Sequence, residues 1–368
     1  MSKLILNRRS FINTAAATAT LIASPAYIRR ASAATNELNI WTYDKFLPES
    51  FVTQFQNETG ITVNIRLVDE QGTEFNLMAA EAPNLTADIV TVAGHRYLQF
   101  IDAELIAPFD SQRLKNWSNI NPIFSESDWA TVRGEKWGVP ILSGSEILAY
   151  NTDLVSADDA RSWDVMFADQ YAKQTSYILL DFLSVVMLYM GYDGNLIEYA
   201  DDPEKAAAIV AEARDFLIEK KPLVRKYYDS GAEVQQMFIN QDIALAHGWN
   251  GPIATLIADG APVAMTIPRE GSYGFVFTLN LANGARNADN AYQFLDAMLA
   301  SPEVGAEMTR GSGYISTYKD ASTYLTEIER KSTSFSEEEL SSLQFFRAEA
   351  NEMKYDLLDP AVQVIKSA

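Results

Sequence analysis

The chain has 368 residues, 48% of them hydrophobic, with no cysteine, two histidines and a formal net charge of −20. That length fits one large two-lobed domain or two domains, with enough apolar material for a sizeable core. Without cysteine there are no disulfides, thiolate nucleophiles or cysteine metal sites, and His95 and His247 alone leave little for a His-rich metal site or a Ser-His-Asp triad. Neither a G-x-S-x-G elbow nor a G-x-x-x-x-G-K-[ST] phosphate loop occurs. These absences disfavour a Ser-His-Asp hydrolase, nucleotide hydrolysis and a cysteine- or histidine-bound metal, and no cofactor is expected. The first 33 residues carry five bases and no acid; beyond them 24 bases face 49 acids, a balance of −25. Such a surface repels nucleic acid and anionic lipid and mildly attracts cations.

In chain order, the first segment is an address rather than fold material. Arg8-Arg9 precedes Ser10-Phe11-Ile12, a weakly hydrophobic Ala/Thr stretch comes next, and Ala31-Ser32-Ala33 offers small residues for cleavage. The pattern resembles a twin-arginine export signal over residues 1–33 and implies a periplasmic location. A membrane anchor is the alternative, but the apolar stretch falls short of the roughly 20 residues a span needs.

The next segment opens a β-α-β unit. Leu38 to Trp41 reads as a strand, Pro48-Glu49 as a helix start, Phe51, Val52 and Phe55 as its buried stripe, Gly60 as its stop, and Ile61 to Ile65 as a second strand. Thr73 to Glu81 reads as a helix, and Asp88 to Val92 as a buried strand ending on Gly94-His95. Alternating strands and helices predict a parallel sheet, whose ligands sit beyond the carboxyl ends of the strands. Trp41, Thr42 and Asp44 lie at one such end and His95 at another.

Lys136 to Leu142 and Ile147 to Tyr150 read as an extended crossing between lobes. A second α/β pattern comes after it: strand 177–181, helices 182–190, 203–220 and 234–240, and strand 243–248 ending on Trp249-Asn250-Gly251. Segments 263–268 and 273–281 cross back. Ala288 to Ala300 reads as a helix, and 337–368 as an acidic helical tail.

Several of these stretches resemble the periplasmic binding proteins of polyamine ABC importers. They include "NIWTYDKFLPESFVTQFQNETGITVNI", "ADIVTV", "KWGVPILSGSEILAYNTD", "LYMGYDGN", "IALAHGWNGPIATLIADGAPVAMTIPREG" and "AYQFLDAMLASPEVGAEM". The resemblance is distant and covers nearly the whole chain after residue 33. It implies an α/β, type II periplasmic-binding-protein fold, two α/β lobes joined by crossover strands. Lobe 1 would be 34–142 with 274–320, and lobe 2 would be 143–273 with 321–368. It also implies a monomer with a small, polyamine-like or simpler cationic ligand, and a membrane permease and ATPase as partners.

Carried over residue by residue, the resemblance points to Trp41, Thr42, Asp44, His95, Glu146, Asp181, Ser230, Trp249, Phe275 and Phe277 as ligand-binding positions. Tyr43 and Asp44 exchange the family's aromatic and acid, Phe277 stands where the family has an acid, and Glu146 stands where it has a small hydroxyl. Bland readings accompany these. Asp44, Asp181 and His95 also fit helix caps, Glu146 a solvated hinge, and one of Phe275 and Phe277 is expected to face core. Tyr314 lies in a further family loop. An amino-acid derivative or an anion, if Arg310 or Arg269 reaches the cleft, is the rival ligand. A carboxylate-pair hydrolase is the rival class.

Overall fold

The order of the strands decides where a ligand could lie. The computed structural model describes residues 36–126, 130–349 and 351–368; the expected export signal lies outside them. The strands are β1 (Glu37–Thr42), β2 (Thr62–Leu67), β3 (Ile89–Ala93), β4 (Thr131–Val132), β5 (Glu135–Lys136), β6 (Gly138–Asn151), β7 (Thr175–Tyr177), β8 (Val224–Tyr227), β9 (Leu245–Trp249), β10 (Val263–Thr266), β11 (Ser272–Leu281), β12 (Ile315–Ser316) and β13 (Leu343–Phe345). The main path runs β2-β1-β3-β11-β6-β9-β7-β8. β1 pairs parallel with β2 and β3, and β7 pairs parallel with β8 and β9.

The two parallel groups meet through antiparallel crossovers. β6 pairs with β11 from Gly138 to Ser145, then with β9 from Glu146 to Tyr150. This single buried strand of 14 residues hands over from one lobe's sheet to the other's between Ser145 and Glu146. The expected break between 142 and 147 is absent, because β11 and then β9 pair with every residue of β6 from Leu142 to Tyr150.

The first helix, Glu49–Thr59, forms as its pattern dictates. Phe51 and Phe55 each meet Phe294 with ring centroids 5.1 Å apart. Gly60 then adopts φ 72°, a left-handed value that favours glycine, and its N–H donates to the Gln56 carbonyl. In the second lobe the strand expected over 177–181 ends at Tyr177, and helix Leu179–Tyr189 starts early. The tail is not one helix. Helix Glu337–Ser341 leads to β13, which pairs parallel with residues 272–274 of β11, and helix Asn351–Ser367 comes last.

Candidate functional site

A cavity of ≈ 400 Å³ lies where strand ends of both lobes converge on the β6 crossover. The first lobe supplies Tyr43, His95 and Arg96, the second supplies Asp181, Ser230 and Trp249, and the crossover strands supply Glu146, Phe275 and Phe277. Tyr314, Phe346 and Tyr355 complete the wall from later in the chain.

Where β1 ends decides which residues of this segment reach it. Trp41 does not. It packs under the sheet in a cluster with Met78, Val90, Val92 and Phe100, and the guanidinium of Arg66, its register partner on β2, lies 4.1 Å over its ring. Thr42 is buried with its hydroxyl accepting from the Thr91 hydroxyl at 2.8 Å, and Asp44 is exposed; neither lines the cavity. The wall from this strand end is Tyr43, one residue on. Its ring lies 5.2 Å from Phe46 and 5.7 Å from Phe277.

Seven expected residues do line the cavity: His95, Glu146, Asp181, Ser230, Trp249, Phe275 and Phe277. Phe275 and Phe277 do not divide between core and cleft. Two residues apart on one strand, they share a face, stand 5.3 Å apart and both contact the Tyr314 ring. Gly144 on β6 makes room for this wall, since a Cβ there would lie 2.3 Å from the Phe275 ring. Ser230 caps helix Gly231–Ile239 by accepting from the Glu233 N–H. Asp181 sits in the first turn of helix Leu179–Tyr189. Arg310 pairs with Glu329 at 2.7 Å and Arg269 with Glu270 at 3.1 Å; neither lines the cavity. Arg96 is the arginine that does.

The floor of the cavity is an acid pair with a neutral histidine behind it. Glu146 is 1% exposed, and burial pushes its carboxyl up to about 8, against the smaller opposing pull of the Lys354 ammonium and a hydrogen bond from the Trp249 side chain. Asp181 rises to about 7 through burial and the neighbouring Glu146, opposed by His247, Lys354 and Trp249. Burial lowers His247 to about 3, so its imidazole is neutral. His247 Nε2 approaches Glu146 Oε2 at 2.9 Å without the alignment of an imidazole N–H donor. Both atoms are buried without a hydrogen-bond partner, so the pair is a close contact of a neutral ring with a carboxyl that burial keeps protonated. Burial also lowers His95, whose ring lies 5.4 Å from Phe346.

Reading motifs alone missed Phe346, Tyr355 and Lys354. They come from a tail whose acidic composition reads as a solvated helix. The aromatics at 345, 346 and 355 were the available signal. Among the described residues no group of acids and histidines could hold a metal ion, and no helix is long and apolar enough to cross a membrane.

An aromatic box over an acid pair, set between two α/β lobes joined by crossover strands, defines a two-lobed binding protein of the type II periplasmic class. Residues 50–333 match the family described as bacterial extracellular solute-binding protein, and the chain belongs to that family. It is 26% identical over 303 residues to the putrescine-binding periplasmic protein PotF of Escherichia coli, covering 77% of this chain and 78% of that one. It is 22% identical over 291 residues to spermidine/putrescine-binding periplasmic protein 1 of Haemophilus influenzae, covering 77% and 76%. The crystal structure of the spermidine/putrescine ABC transporter substrate-binding protein PotD from Streptococcus pneumoniae superposes with a TM-score of 0.74 at 20% identity. That match covers 90% of this chain and all of the other.

Proposed function

We propose that this protein is the extracytoplasmic solute-binding subunit of an ABC importer and that it binds a small organic cation in the cavity between its lobes. The observation that carries the reading is the Glu146–Asp181 pair beside Trp249, under the rings of Tyr43, Phe275, Phe277 and Tyr314. A desolvated ammonium needs carboxylates and aromatic faces together, and this floor offers both. The names of the relatives point the same way. The two lobes, expected as 34–142 with 274–320 and 143–273 with 321–368 and with residues 143–145 paired to the first lobe's β11, close on the ligand about the crossover strands, favouring a closed state. The protein is exported as a monomer by the twin-arginine route, and a membrane permease and ATPase receive its ligand. No bond is made or broken.

A thermal-shift screen of the protein from residue 34 onward tests this, because a ligand that binds only the folded state raises the melting temperature. Putrescine, spermidine, n-butylamine and betaine form the cationic arm, and acetate, glutamate and sulfate the anionic arm. Stabilisation by at least one cation and by no anion is expected. Stabilisation by anions alone overturns the reading and moves the contact to Arg96.

A further inference from the structure

The C-terminal helix brings a cation of the protein's own to the back of the cavity wall. Lys354 is 7% exposed and its ammonium lies 3.9 Å over the ring of Phe346. Phe346 lines the cavity, as does Tyr355, the next residue along from Lys354. The helix that carries Lys354, Asn351–Ser367, packs against helix Leu179–Tyr189, whose first turn holds Asp181. Lys354 therefore stands behind the Phe346 wall, in the field of both acids.

We propose that Lys354 is the internal counter-cation of the Glu146–Asp181 pair and a specificity-determining residue, so that the cavity floor accepts a ligand bringing one ammonium and disfavours a second. This deepens the organic-cation reading above and rests on it. The electrostatics agree in sign. Burial lowers Lys354 to about 8, while Asp181, Glu146 and Asp193 pull it up. Conversely, Lys354 lowers both Glu146 and Asp181. Lys354 and Arg96 both act on His95, whose pKa burial lowers, so Arg96, which lines the cavity, is a second positive charge on this side of it. Glu146, Asp181 and Asp193 set against Lys354 and Arg96 leave a deficit of a single positive charge when all three acids are ionised. The other carboxylates on the cavity, Asp69, Glu70 and Asp229, are exposed at its rim, where solvent weakens their hold on a second ammonium.

The test is calorimetric titration of the wild-type protein, Lys354→Met, Lys354→Gln and Lys354→Arg with n-butylamine, putrescine and neutral n-butanol. Removing the internal cation removes repulsion that scales with ligand charge. Putrescine should tighten by about tenfold or more in Lys354→Met and Lys354→Gln, n-butylamine by less, and n-butanol not at all. Lys354→Arg should behave as wild type. A lysine that merely supports the fold would lower every affinity together, and an unchanged ratio of putrescine to n-butylamine overturns the proposal.

A readout without ligand separates the two readings. In carboxyl-carbon NMR titrations of the ligand-free protein, the Glu146 and Asp181 midpoints should move to higher pH in Lys354→Met. Unmoved midpoints overturn the counter-cation outright. Moved midpoints with no amine bound by any variant overturn the organic-cation reading of the cavity, and with it the proposed ligand preference.

Discussion

A carboxyl without water keeps its proton, and at Glu146 that proton would stand in the way of the proposed cationic ligand. Its pKa of about 8 and that of Asp181 of about 7 mean that an arriving ammonium meets acids still partly protonated. A cation stabilises the ionised forms, so binding expels protons. Amine affinity should therefore rise as pH goes from about 6 to about 9. Calorimetry in two buffers of different ionisation heat should show proton release; a flat affinity and equal heats would refute it. The sign reverses for stability without ligand. Glu146 holds its proton in the native state up to about 8 but loses it from about 4.5 when unfolded. Rising pH across that window therefore costs stability. Melting curves of Glu146→Gln should lose part of this decline, and a decline as steep as in wild type counts against it. Trp249→Ala removes the ring beside the acids. It should weaken amine binding by about 0.5–2 kcal/mol for the cation–π contact alone, checked by titration; unchanged affinity would place the ligand elsewhere.

At the scale of elements, the aromatic wall depends on β6 passing beneath it without side-chain bulk. Gly144→Ala sets a Cβ 2.3 Å from Phe275 and 2.9 Å from Tyr314. It should cost about 1–3 kcal/mol of stability as overpacking and displace Phe275 into the cavity. Denaturant unfolding together with ligand titration checks both; wild-type values in each would show that the wall yields freely. The β-α-β opening, the two crossovers and the buried helices were legible in the sequence because periodicity and Gly60 carry local signals. Which residue of "WTYD" faces the cleft was not legible. Trp41 and Tyr43 differ only in where β1 ends and in what covers the sheet, namely Met78 and Phe100 from distant helices. Asp181 was legible as a position but not as part of a first turn, since apolar residues 178–180 fit strand and helix alike. The tail was least legible. β13 pairs with residues 272–274, far away in sequence, and Lys354 lies over the Phe346 ring on a helix packed against Leu179–Tyr189, contacts that no local pattern announces.

Across the whole molecule, acidity and fold act over different ranges. The balance of −25 beyond residue 33 draws cations from solution, but salt screens it within about 8–10 Å. The buried acid pair is screened far less. Raising salt should therefore slow amine association while leaving dissociation nearly unchanged, as stopped-flow fluorescence of the tryptophans would show. A large salt effect on dissociation would instead place the bound amine at the exposed rim. The handover within β6 has a further consequence. Ser145 is the last residue paired to one lobe's sheet and Glu146 the first paired to the other's, opposite Trp249. The closure proposed above would twist the backbone right beside the carboxyl whose proton the proposed cation displaces, so posture and protonation would be two faces of one latch.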